Sequence, residues 1–238
     1  MAAITEPLTS PRARRSLPML QSGDCLTRVE FHRRYLRTPP KQKFELVEGR
    51  VVMASPVSEQ HAVYDSLLQT ALTVYRSQTP GTRNMANGTV ILDDENEVQP
   101  DAALWILLAS GGQTRLTGGK YVSGAPEWIG EIAYSSAAID LGDKKTAYAR
   151  NGVAEYLVFC IPDQSCRLFD LGGNQEIGPN SRSILRSAAM PGLWLDTRGF
   201  ANNDAARVLE TIVAGVKSPE HADFVQRLAR WKKMSKSR

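Results

Sequence analysis

The sequence predicts an α/β fold, because β-leaning runs alternate with amphipathic helical stretches. One run, AALWILL at 102 to 108, is apolar at every position, and its length and flanks fit a strand buried on both faces. A helix expected over 141 to 150, with Gly152 placed to end it in a left-handed cap and EYLVFCI beginning the next strand, is the second observation. At 238 residues, 42% hydrophobic and 23% charged, the chain has the length and balance to bury the core of one catalytic-sized domain.

Taken in order, residues 1–24 are rich in Pro, Ser and Arg without an apolar period and are expected to form a disordered basic arm. The domain is expected over residues 25–200. KFELVEG and RVVMASP meet at Glu48 and Gly49 as an antiparallel hairpin. Ser58 then reads as the N-cap of a helix whose inner face carries Val63, Leu67, Leu68, Ala71, Leu72 and Tyr75, ending near Pro80 and Gly81. A short strand at Thr89–Leu92, a DDENE turn and the AALWILL strand follow. SGGQTRLTGG reads as a surface loop, and EWIGEIAY as another strand. CRLFDL and the stretch after GGN suggest a further hairpin; the order of strands in the sheet is not fixed by these patterns. Residues 201–238 are expected to be a C-terminal helical basic tail, with an amphipathic helix near Ala205–Val216, a break at Ser218-Pro219, and a terminal basic helix.

The formal net charge of +4 is unevenly placed. The segment 227–238 carries Arg227, Arg230, Lys232, Lys233, Lys236 and Arg238 without an acid, so the remainder is at −2. Such a tail can bind a polyanion through counterion release, or serve as a solvated helix end that aids solubility. The longest uncharged stretch, Ala102–Thr114, falls well short of the roughly 20 apolar residues a membrane-spanning helix needs, so no membrane segment is expected. The N-terminus lacks the continuous apolar core of a secretion signal, and a cytoplasmic location is the default expectation. Cys25, Cys160 and Cys166 make an odd count, which argues against a disulfide framework. Cys160 and Cys166 could face each other across a hairpin, though two reduced thiols are the expectation in a reducing cytosol.

A Pro-Asp at a strand start, as at Asp101, is by itself ordinary turn chemistry. It gains meaning from Glu131, thirty residues on, which sits inside an apolar strand where an unpaired ionised group is costly. Two adjacent strands can set these carboxylates side by side, and two hard oxygen donors with room for water suit Mg²⁺. Strand alternation puts Glu131 and Ala133 on one face and Ile132 on the other. Ala133 cannot supply the basic group a metal-assisted phosphodiester hydrolase uses, so Lys144 in the following helix is the best candidate. Tyr148, at i+4 from Lys144, shares its helix face and could steer the lysine or touch a phosphate.

FELVEGRVVMASPVSEQH at 44–61, VQPDAALW at 98–105, GAPEWIGEIAYSS at 124–136 and DLGDKKTAYARNGVAEYLVF at 140–159, in this order, resemble the Uma2 family (DUF820) of restriction-endonuclease-like proteins in the PD-(D/E)XK superfamily. The resemblance covers nearly the whole core. It implies a central sheet in an αβββαβ core flanked by helices, with Asp101 and Glu131 as paired metal-binding acids. The superfamily's lysine two residues after the second acid is replaced here by Ala133; the family's K-x₃-Y-x₃-G spacing is kept by Lys144, Tyr148 and Gly152. Glu45 and His61 also match family positions near the site.

Read from chemistry alone, Glu45 is a strand-end cap or a metal or water contact, His61 a helix-entry hydrogen-bonding residue or a ligand, and Gln99 a turn residue or a substrate contact. Asp140 and Asp143 read as helix N-terminal charges. The expected activity is DNA cleavage by a Mg²⁺- or Mn²⁺-dependent endonuclease, with Asp101, Glu131 and the main-chain carbonyl of Ile132 holding the metal and Lys144 orienting water or steadying the transition state. The alternative is a non-catalytic nucleic-acid-binding or assembly protein that keeps the fold. A homodimer is an expectation by analogy with nucleases that use two active sites.

Overall fold

The structure, a computed structural model, describes residues 17–236, so the first sixteen residues of the expected basic arm lie outside the described residues. Residues 17–24 are docked: Leu20 is buried, and the Gly23 N–H donates to the Val51 carbonyl at 2.8 Å. Helix α1 (Arg28–Tyr35) precedes the expected hairpin of β1 (Phe44–Val47) and β2 (Arg50–Met53), and Phe31 packs with Phe44, Leu46 and Val51. The hairpin turns at Glu48 and Gly49, whose φ values of 49° and 71° are both positive, as a two-residue turn matching the strand twist requires. The Ser58 hydroxyl accepts the His61 N–H and caps α2 (Glu59–Gln78), which buries Leu67, Leu68, Ala71, Leu72 and Tyr75 as its period predicts.

Then follow β3 (Thr82–Ala86), β4 (Val90–Ile91), β5 (Glu97–Val98) and β6 (Ala102–Ile106), the last buried along nearly its whole length. The stretch 110–119, expected to be a surface loop, instead contains β7 (Arg115–Thr117), which pairs antiparallel with β8 (Tyr121–Ser123). Few apolar residues mark β7, because it is an exposed edge strand with nothing to bury. Strand β9 (Trp128–Ala133) leads into α3 (Ala137–Ile139), a π-helical turn (Asp140–Lys144) and α4 (Lys145–Asn151), which Gly152 ends at φ 85°. Next come β10 (Glu155–Cys160), β11 (Ser165–Asp170), β12 (Gln175–Ile177), β13 (Ile184–Arg186), β14 (Trp194–Asp196), α5 (Thr197–Ala201), α6 (Ala205–Gly215) and α7 (Pro219–Lys236).

The central mixed sheet runs β12-β11-β10-β9-β6-β3. Along the chain, α2, β3, β6, β9, α4 and β10 supply the expected αβββαβ core, with β9 and β10 parallel across the α4 crossover and β6 antiparallel to β9. A second sheet, β2-β1-β5-β4-β8-β7, lies over one face. That face buries Ile129, Ala133, Tyr148, Tyr156 and Val158 with Val47, Val90 and Val98 of the second sheet. The other face buries Trp128, Ile132, Leu157 and Phe159 under α2 and the C-terminal helices. Phe159 pairs with Cys166 and shares the second core with it, while Cys160 belongs to the first, so the two thiols do not face each other; all three cysteines are free. Among the described residues, no helix is long and apolar enough to cross a membrane.

The C-terminal helices are part of the domain and not a tail. Val208, Ile212, Phe224 and Leu228 are buried in the same core as α2 and β9. Phe224→Ala is therefore expected to lower unfolding free energy by about 3–5 kcal/mol in urea titration; a loss below about 1 kcal/mol would make α7 an appendage.

Candidate active site at the mouth of the central strands

Because β6 and β9 pair with Ala102 opposite Gly130, Asp101 and Glu131 stand beside each other where the ladder ends. Each carboxylate takes up a main-chain donor of the other's strand: the Asp101 N–H donates to Glu131 Oε2 at 3.1 Å, and the Ile132 N–H donates to Asp101 Oδ2 at 2.8 Å. A strand residue points its N–H and C=O to the same edge. The neighbouring carbonyls of Glu127 and Ala133 accept from Glu155 and Ile161 on the β10 side, so that of Ile132 faces the Asp101 edge.

Lys144 comes down from the π-turn onto Glu131. Its Nζ lies 3.0 Å from Glu131 Oε1, 2.9 Å from Glu45 Oε2 on β1 and 3.5 Å from Asp140 Oδ1. The extra residue in the wide π-turn puts Asp140 and Lys144 on the buried side together. Tyr148 donates its hydroxyl to Glu131 Oε1 at 3.0 Å from a fully buried position, so it positions the acid and cannot touch a phosphate. His61, at the start of α2, places Nε2 3.2 Å from Asp101 Oδ2. Gln69 and Asn87 both donate to the Asp101 carbonyl, at 2.7 and 3.1 Å, fixing the strand mouth. The Gln99 N–H donates to Glu45 Oε1 at 2.6 Å while its side chain is taken by the Tyr35 hydroxyl at 2.7 Å.

Glu45, His61, Gln99, Asp101, Glu131, Ile132 and Lys144 thus line one cavity of about 220 Å³, walled by the 53–58 segment after β2 and by the start of α3. Tyr148 is the only candidate set behind its wall. The cavity holds more acids than ammonium groups: Glu45, Asp101, Glu131 and Asp140 line it against Lys43 at its edge and Lys144, which Glu45, Glu131 and Asp140 surround. Burial pushes the Glu131 carboxyl well above the usual carboxylate range, against the pull of Lys144, and raises Asp140 in the same way. For Lys144 burial acts to lower the pKa, but the charges of Glu131, Glu45 and Asp140 outweigh it and hold the amine protonated. The contact with Asp101 raises the His61 imidazole, with burial opposing. Among the described residues, no three His, Cys, Asp or Glu side chains form a ready metal cage; the oxygen donors here are two carboxylates and a main-chain carbonyl.

Asp140 was legible only as a helix-dipole charge, although the Asp-x₃-Lys step to Lys144 signals a shared face. Asp143, its neighbour, is exposed. The basic end of α7 sits away from the cavity. Ser235 donates to the Ala109 carbonyl and Trp231 lies against Gly111, just past the far end of β6, a strand length of about 17 Å from Asp101.

A family model, Uma2, described as "Putative restriction endonuclease", matches residues 28–198. No curated protein matches the chain. Among solved structures, one described as a putative nuclease belonging to DUF820, from Anabaena variabilis ATCC 29413, is similar with a TM-score of 0.54 and 11% identity, over 76% of this chain and 97% of that one. At that identity the likeness speaks for the fold.

Lys144→Met leaves three neighbouring carboxylates without their shared cation. It is expected to cost about 3–5 kcal/mol of stability at neutral pH. With Lys144 gone the buried carboxyls of Glu131 and Asp140 rise further, the native state binds more protons than the unfolded chain, and stability is regained as pH falls toward 5. Urea unfolding of both proteins at several pH values checks this; a loss that does not change with pH would contradict it.

Proposed function

Because the chain belongs to the Uma2 family, we propose that it is a metal-dependent DNA endonuclease hydrolysing phosphodiester bonds in the Asp101–Glu131–Lys144 cavity. The observation that carries this reading is the charge of the site: the four carboxylates of Glu45, Asp101, Glu131 and Asp140 outnumber the ammonium groups of Lys43 and Lys144, and three of the acids already occupy Lys144, so the cavity suits a substrate phosphate when a further cation accompanies it. Hard oxygen donors fit Mg²⁺ or Mn²⁺. Asp101, Glu131 and the Ile132 carbonyl would hold the ion; both contacts of the Asp101 carboxylate use Oδ2, which leaves Oδ1 for it. A bound divalent ion supplies charge neutralisation at the phosphoryl oxygen and a lowered pKa for a coordinated water.

The remaining roles fall to the chain's own side chains. Lys144, kept protonated by its three acids, orients the attacking water or offsets charge building on the phosphoryl oxygens. Glu45 and Asp140 hold that ammonium in place, and the Gln99 N–H holds Glu45. Tyr148 fixes Glu131, and His61 fixes Asp101. A second reading, nucleic-acid binding or assembly without cleavage, is favoured by one observation: Glu131 and Asp101 already have protein donors, so the arrangement is also stable as a purely structural network.

Cleavage of single-stranded, duplex and branched DNA with Mg²⁺, Mn²⁺ or chelator separates the two readings. Cleavage is expected with either cation, to stop with chelator, and to disappear in Asp101→Ala, whose loss of one hydrogen-bond acceptor lowers the melting temperature by only a few degrees. Equal cleavage by Asp101→Ala would sink the nuclease reading.

A further inference from the structure

The acidic cavity continues past Tyr134 into a second groove of about 410 Å³. Tyr134 lines both spaces and is 49% exposed, although it follows directly on the buried end of β9. It stands two strand residues beyond Ile132, about 7 Å along the chain and within the span of one extended nucleotide. The far wall of the groove comes from the start of α2 with Gln60 and Tyr64, the β10–β11 turn with Pro162 and Gln164, and the α5–α6 link with Asn203. The Tyr64 ring is held in place against Phe159, with ring centroids 4.7 Å apart.

The chemistry of this lining differs from that of the neighbouring cavity. Glu59 is its one charged residue, and no lysine or arginine lines it, so a phosphate gains nothing there. Two tyrosines offer aromatic faces, and three side-chain amides offer neutral donors and acceptors of the kind that read the edge of a base. Such a pocket suits an uncharged, flat, polar-edged ring.

We propose that the groove takes one unstacked nucleobase of the substrate strand, stacked on Tyr134, while the adjoining phosphate sits at Asp101 and Glu131. The preferred substrate is accordingly a single-stranded or locally opened nucleic acid, since a base inside an intact duplex cannot reach Tyr134. The position of the scissile phosphate in this arrangement rests on the nuclease reading above; the base site itself rests on the groove.

The test is fluorescence anisotropy with a labelled single-stranded oligonucleotide and with the matching duplex, using Ca²⁺ as the cation, for the wild type, Tyr134→Ala and Tyr134→Phe. Single-strand binding is expected to weaken roughly tenfold in Tyr134→Ala and to stay within about twofold of wild type in Tyr134→Phe, which keeps the ring. Duplex binding is expected to change less than about twofold in both. Wild-type single-strand affinity in Tyr134→Ala, or an equal loss for strand and duplex, would overturn the base site. Wild-type cleavage of the same strand with Mn²⁺ is read in parallel. Tyr134-dependent binding without cleavage would support the base site and count against the nuclease reading, whereas cleavage with Tyr134-independent binding would do the reverse.

Discussion

The ammonium of Lys144 is the point on which the arrangement turns. It lies within 3.5 Å of Glu45, Glu131 and Asp140, which belong to the second sheet, the central sheet and the π-turn in that order. Three pieces of the fold are therefore tied to one charge. Buried ions are expensive to desolvate, and a set like this persists only when each charge has partners. The same arrangement leaves the acids in excess, and it is this excess that the proposed cation would offset. Stability and the proposed chemistry draw on a single electrostatic imbalance.

The acid pair depends on backbone register more than on side-chain packing. Asp101 and Glu131 meet because β6 and β9 run antiparallel and stop pairing at Ala102 and Gly130, freeing the Asp101 and Ile132 N–H groups for the opposite carboxylates. A slip of one residue would send Glu131 to the other face of the sheet, under α2, where the lining includes Leu68, Leu72 and Phe159. Burial of Ile129 and Ala133 on the one side and Trp128 and Ile132 on the other fixes the register, so the hydrophobic pattern of β9 positions its carboxylate.

This explains what was legible in the sequence. The strand period that sets Glu131 and Ala133 on one face of EWIGEIAY and Ile132 on the other, the helical period after Ser58 and the i to i+4 step from Lys144 to Tyr148 are local rules, and the structure keeps each of them. The αβββαβ order and the family followed from motifs spread along the core. Features set by tertiary partners were not legible. Strand β7 is exposed and carries little apolar signal; Asp140 lies in a π-turn that brings it inward with Lys144; α6 and α7 look like a basic tail until their apolar stripe is seen against α2. The groove beside Tyr134 depends on four separated segments and has no linear signature.

The location of the basic segment changes how nucleic acid would be engaged. With α7 beyond the far end of β6, its charges do not line the acidic cavity, so attraction of a strand to the site is left to Lys43 and to the proposed cation. The most direct measurement is therefore Mn²⁺ binding by isothermal titration calorimetry, with the electron paramagnetic resonance signal of the free ion as a second readout, for the wild type and Asp101→Asn. The account predicts one ion bound per chain in the wild type and at least about a tenfold loss of affinity in the variant, which stays folded. Equal binding by the two proteins, or no binding by the wild type, would contradict it.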